Sequence, residues 1–129
     1  MIRPILAPAA LTLAAIVALG LDACKPRLQP PGEAGVCYHL AVDRNGATHF
    51  NVVAKGVPDM EHCAAALEGM RLRFLSIGGS STEIVGAYQG NFLFLQDEGV
   101  FTSDSIDGAR YPFLVHSGNQ LVPPGQAGP

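Results

Sequence analysis

All six Phe and all three Tyr residues of this chain lie between Tyr38 and Phe113, and there is no Trp. Large apolar side chains carry most of the burial that holds a small domain together. The core therefore has to be built inside that window, and the two ends need another explanation. With 129 residues in all, this leaves room for one modest core, and residues 36–117 are the expected domain. A net charge of −3 with no run of Lys or Arg excludes the electrostatic footprint of nucleic-acid binding.

The N-terminal end reads as an address. Met1-Ile2-Arg3 places one positive charge ahead of residues 4–21, an uncharged stretch rich in Leu, Ala, Ile and Val, followed by small and then polar residues. That is the layout of a secretory signal over residues 1–24. Three endings are compatible with it. Leu21-Asp22-Ala23-Cys24 resembles the bacterial lipobox, with Asp22 departing from that pattern, and implies lipidation at Cys24. Ala18-Leu19-Gly20 offers a small-x-small cleavage site. Residues 4–21 also reach the lower limit for a membrane anchor that is never removed. Cysteine parity favours lipidation: of Cys24, Cys37 and Cys63, modifying the first leaves one pair for an oxidising compartment. Residues 25–35, with Pro26, Pro30 and Pro31, read as a semi-rigid linker, and residues 118–129 as a disordered Pro/Gly tail.

Within the domain, Val36, Tyr38, Leu40 and Val42 alternate with Cys37, His39 and Ala41, the period of a half-buried strand, and residues 48–54 alternate likewise. Between them Asp43-Arg44-Asn45-Gly46 predicts a three-residue hairpin loop with Gly46 in the left-handed position. That loop pairs Leu40 with Phe50, Tyr38 with Val52 and Val36 with Ala54 on one face. Asp59 is a good N-cap and Glu61 suits the first turn of a helix. Met60, Cys63, Leu67, Met70 and Phe74 then form an apolar stripe, with Glu68 and Arg71 largely off it, and Gly78 supplies the stop.

Residues 83–88, 92–96 and 100–103 predict a three-stranded meander, with Gln89-Gly90-Asn91 at the first turn and Gly86 facing Phe94. Residues 111–115 suggest a further short strand. Phe92-Leu93-Phe94-Leu95 is apolar at every position, as in a strand covered on both faces. The expected class is α+β: a small antiparallel sheet of hairpin, one helix and meander, with the helix packed on one face. Cys37 in the first strand and Cys63 in the first helical turn are placed to form a disulfide between sheet and helix.

No motif specifies a reaction, no catalytic residue is assigned and no cofactor is implied. His39 and His49 share a face of the first hairpin with Asn51 and are weak candidates for a metal, since two imidazoles need a third ligand. Gly78-Gly79-Ser80-Ser81 follows a helix and opens a strand, the reverse of a phosphate-binding loop. The expected function is that of a non-enzymatic, exported cell-envelope protein, tethered to a membrane through its N-terminus. Its small disulfide-stapled domain would bind an envelope protein, self-associate through a sheet edge or serve a structural role, without nucleic acid. The alternatives are a small-ligand or metal-binding periplasmic protein and a small hydrolase.

Overall fold

The computed structural model describes residues 2, 4, 27–79 and 83–126. The expected cleavage and lipidation sites, Gly20 and Cys24, lie outside these residues. In chain order the elements are β1 (Cys37–Val42), β2 (Thr48–Ala54), α1 (Met60–Ser76), β3 (Ile84–Tyr88), β4 (Asn91–Leu95), β5 (Gly99–Ser103), β6 (Tyr111–Ser117) and β7 (Gln120–Val122). The strands form one antiparallel sheet in the order β2-β1-β3-β4-β5-β6-β7, so among the described residues one α-helix and a seven-stranded antiparallel sheet make an α+β fold.

The first hairpin turns as its residues predict. Gly46 has φ +80°, its N–H donates to the Asp43 carbonyl at 3.0 Å, and the Asp43 N–H donates to the Ala47 carbonyl at 2.9 Å. The Asp43 carboxylate accepts from the backbone N–H groups of Asn45 and Ala47, which fixes the loop from inside. Leu40 faces Phe50 and Tyr38 faces Val52, but the next pair is Cys37 with Ala54, not Val36 with Ala54. The extra residue is Val53, a β-bulge that turns Val53 and Ala54 together toward the helix-side core.

The helix begins at Asp59, whose carboxylate accepts from the His62 N–H at 2.8 Å. It ends in a Schellman closure: the Gly79 N–H reaches the Phe74 carbonyl and the Gly78 N–H that of Leu75, with Gly78 at φ +92°. Its buried side is not the expected stripe. Cys63, Ala64, Leu67, Glu68 and Arg71 are buried, while Phe74 is 42% exposed. At about 100° per residue the buried face is rotated about 50° from the Met60–Phe74 stripe, which brings a carboxylate and a guanidinium inside.

Five consecutive strands, β3 to β7, run as a meander, longer than the three expected. The β3–β4 turn has two residues, Gln89 and Gly90, both at positive φ (44° and 84°), because the mirror-image turn matches the strand twist. This two-residue turn pairs Tyr88 with Asn91, and Gly86 therefore faces Leu93, while Phe94 faces Val85. The missing side chain at Gly86 makes room for the helix instead. A Cβ there would collide with a Leu67 methyl and lie 2.6 Å from the Tyr38 carbonyl oxygen.

β4 is the central strand, and both its faces are covered. Leu93 and Leu95 join Cys37, Cys63, Leu67, Val100 and Leu114 in the core beneath α1. Phe92 and Phe94 face the other way in a row with Phe50 and Tyr38, and the Arg110 guanidinium lies 3.6 Å above the Phe94 ring. The described part of the segment expected as a linker lies against the domain, residues 27–29 lining a pocket with residues 104–107. Gly90 N–H donates to the Pro31 carbonyl, the Tyr38 hydroxyl donates to Glu33 at 2.8 Å, and Gly35 N–H donates to the Gln89 side chain. At the other end, where the composition suggested only a tail, β7 pairs with β6.

Candidate functional site

The Cys37 and Cys63 sulfurs are bonded, joining residues 26 apart in sequence across 5.4 Å between Cα atoms. Both residues are fully buried, so the bond stitches the first strand to the first turn of the helix at the centre of the core. In the chain-entropy description, closing a loop of this length is worth up to about 3.5 kcal/mol.

His39 and His49 remain on one face of the hairpin, since His39 pairs with Asn51 and Ala41 with His49. They are not engaged together. His49 Nε2 lies 3.1 Å from the Asp43 carboxylate, whose acidity that contact raises. His39 is half-buried, and burial holds its imidazole below the ordinary pKa. It lines an apolar groove of about 400 Å³ with Val42, Met70, Phe74, Ile84 and Val85. The groove opens where β1 runs on past its last pairing with β3 at His39. Among the described residues, no group of three or more His, Cys, Asp or Glu side chains is gathered as metal ligands. His62 folds back onto its own N-cap, with Nδ1 2.6 Å from Asp59.

The densest polar constellation was not anticipated. Arg71, 3% exposed, donates through Nε and Nη2 to the two Glu68 carboxylate oxygens at 3.1 and 3.0 Å and through Nη1 to Asp97 at 2.9 Å. His116, from β6, places Nε2 3.1 Å from Glu68 Oε1 and Nδ1 2.7 Å from the Asp97 carbonyl. Burial alone would raise the pKa of Glu68, but hydrogen bonds from Arg71 and His116 outweigh it and hold the carboxyl below its usual range. The bond to Glu68 correspondingly raises Arg71 against the cost of burial. These side chains line a cleft of about 340 Å³ between the helix and the β6–β7 hairpin.

A general base needs a ring nitrogen aimed at the group it deprotonates. Both His116 nitrogens face acceptors here, and Arg71 closes the carboxylate from the other side, so the cluster is arranged as a clamp between α1, the β4–β5 turn and β6. The signal that points to it is the Glu68/Arg71 spacing of three on a helix. His116 and Asp97 carry no local signal, because they arrive from elements 48 and 26 residues away.

The β2 edge is the other exposed feature. Its residues are mostly exposed, Val52 is 51% and neighbouring Val42 65% exposed, and among the described residues no strand covers its outer side. No helix among the described residues is long and apolar enough to cross a membrane. Compared with protein-family models, curated proteins and solved structures, the chain matches none at a significant level.

Proposed function

We propose that this chain is a non-enzymatic, exported cell-envelope protein, tethered at its N-terminus, whose disulfide-stapled α+β domain binds a protein partner. The observation that carries the reading is the fully buried Cys37–Cys63 bond in a chain that opens on an export-type segment. Disulfides persist in oxidising compartments and are rare where thiols are kept reduced. Lipidation of Cys24 leaves no odd thiol, and the remainder of the chain then stands outside the membrane. The exposed β2 edge supports the binding role, since unpaired strand edges are templates for another chain.

The test is the intact mass of the protein from its native membrane fraction, before and after reduction and alkylation. A mass beginning at Cys24 and carrying acyl chains, with no thiol reactive until reduction, is the expected result. A full-length, unmodified mass with Cys37 and Cys63 freely alkylated would defeat the export, the tether and the oxidising compartment together.

A further inference from the structure

We propose that β2 is a self-pairing edge: two copies of the chain join antiparallel through residues 48–52, with the two-fold axis at Phe50, into one continuous sheet. This deepens the protein-binding reading above and rests on it, naming a second copy of the chain as the partner.

The argument begins with the direction of the backbone groups. Asp43 and Ala47 form a hydrogen-bonded pair at 2.9 Å, and bonded pairs alternate along an antiparallel ladder. The bonded pairs that follow are Ala41 with His49 and His39 with Asn51, in the observed register. Thr48, Phe50 and Val52 consequently turn their N–H and C=O groups outward, away from β1. Native edges are blunted by charges, prolines or bulges. Residues 48–52 contain no charged residue and no Pro, and the bulge at Val53 ends the regular edge without interrupting it. The opposite edge, β7, has three residues and runs into Pro123 and Pro124. It offers too little strand for head-to-tail growth, which leaves closed two-fold pairing of β2 with itself.

The residue pattern selects the axis. Pairing must keep each face with its like, which admits only every second register. Centring on Phe50 sets Thr48 against Val52, His49 against Asn51, and Phe50 against Phe50 of the second copy, all inside the regular segment. Centring on Asn51 would carry Thr48 past the bulge to Ala54. In the Phe50 register a β-branched pair, a His–Asn pair and an aromatic pair meet across the seam, each favourable in antiparallel sheets. About six backbone hydrogen bonds form, two for each outward-facing pair. At this edge the half-buried Phe50 ring packs between Tyr38 and Phe92, with centroids at 6.3 Å, and Val52 is 51% exposed. A second copy sets its own Phe50 against this aromatic group.

The full chain, extracted in mild detergent with its disulfide intact, is examined by sedimentation equilibrium. A protein mass of two chains is expected. Val52→Lys sets a charge into the seam while leaving β1–β2 pairing in place, and should weaken association at least about tenfold. In a second measurement, His49→Cys and Asn51→Cys chains are mixed and mildly oxidised. A covalent dimer should form in the mixture and not with either variant alone, because residues 49 and 51 face each other across the seam at disulfide distance. A one-chain mass for the native protein, a two-chain mass that survives Val52→Lys, or cross-linking of Asn51→Cys by itself would each overturn the Phe50-centred dimer. Failure here is separable from failure of the functional reading. The latter is decided by the mass at Cys24 and the state of the thiols, which a monomer leaves unchanged.

Discussion

The clamp of Glu68, Arg71, Asp97 and His116 makes a quantitative prediction about what holds the helix to the far side of the sheet. Replacing Arg71 with Met preserves the aliphatic stem but removes the charge-assisted hydrogen bonds to Glu68 and Asp97. Asp97 is largely exposed, with side-chain accessibility of 72%, so water replaces that bond at little cost. Glu68 is different: at 8% exposure it keeps only the His116 contact. Removing one member of a buried pair costs about 3–5 kcal/mol, and the surviving His116 contact places Arg71→Met at the lower end, about 3 kcal/mol. Glu68→Leu takes away the carboxylate that two of the Arg71 donors share and should cost a similar amount. The double variant Glu68→Leu/Arg71→Met removes both charges and should lie within about 1 kcal/mol of the native protein. Two single costs of about 3 kcal/mol each that fall to about 1 kcal/mol in the double variant give an expected coupling of about 5 kcal/mol. Urea unfolding of the oxidised protein, with slopes compared across the four chains, measures it. If both single variants cost under about 1 kcal/mol, or the coupling falls under about 0.5 kcal/mol, the cluster behaves as a solvated surface pair and the clamp is refuted.

Gly86→Ala should destabilise by at least about 2 kcal/mol, because the added methyl meets both a Leu67 methyl and the Tyr38 carbonyl and overpacking is not relieved where backbone is the neighbour; thermal melts of the two chains compare them directly. Cys37→Ser/Cys63→Ser should cost up to about 3.5 kcal/mol, read from the urea midpoint, and a cost near zero would mean that the staple restrains nothing. Acid should weaken the fold in two steps whose sign follows from the lowered pKa values of His39 and Glu68. Below about pH 6.5 the unfolded chain takes up a proton at residue 39 that the folded chain resists. Stability then falls until the folded pKa is passed. His39→Gln should flatten this first limb. The stability contributed by Glu68 is present above the ordinary carboxylate range and is lost as pH falls through its depressed folded pKa. Retention of the first limb in His39→Gln would assign it to another group.

What could be read ahead of the structure was local. Asp59 and Gly78 mark the helix ends because capping needs a side-chain acceptor at one end and positive φ at the other, and both are properties of single residues. The Asp43–Gly46 loop is legible for the same reason. Errors begin where one residue decides a register. The expected turn spans three residues, Gln89-Gly90-Asn91, yet Gln89 itself adopts positive φ, with its side chain accepting from the Gly35 N–H, and the turn is shorter by one residue. That one residue moves Gly86 from Phe94 to Leu93 and changes what its bareness is for. The helix stripe failed for a related reason: Cys63 and Leu67 belong equally to the expected stripe and to the one used, and only the neighbours beyond them differ. Apolar Met70 and Phe74 outweigh Glu68 and Arg71 in any local count. The balance reverses only because β6 and the β4–β5 turn deliver His116 and Asp97 to the charged side, satisfying in three dimensions what one helix leaves unpaired. A buried charge is thus illegible in its own segment, since its partners lie on other strands. An open strand edge is the opposite case. Its outward-facing groups follow from the loop geometry and its lack of blunting charges from composition, so the proposed β2 seam draws on sequence and fold together.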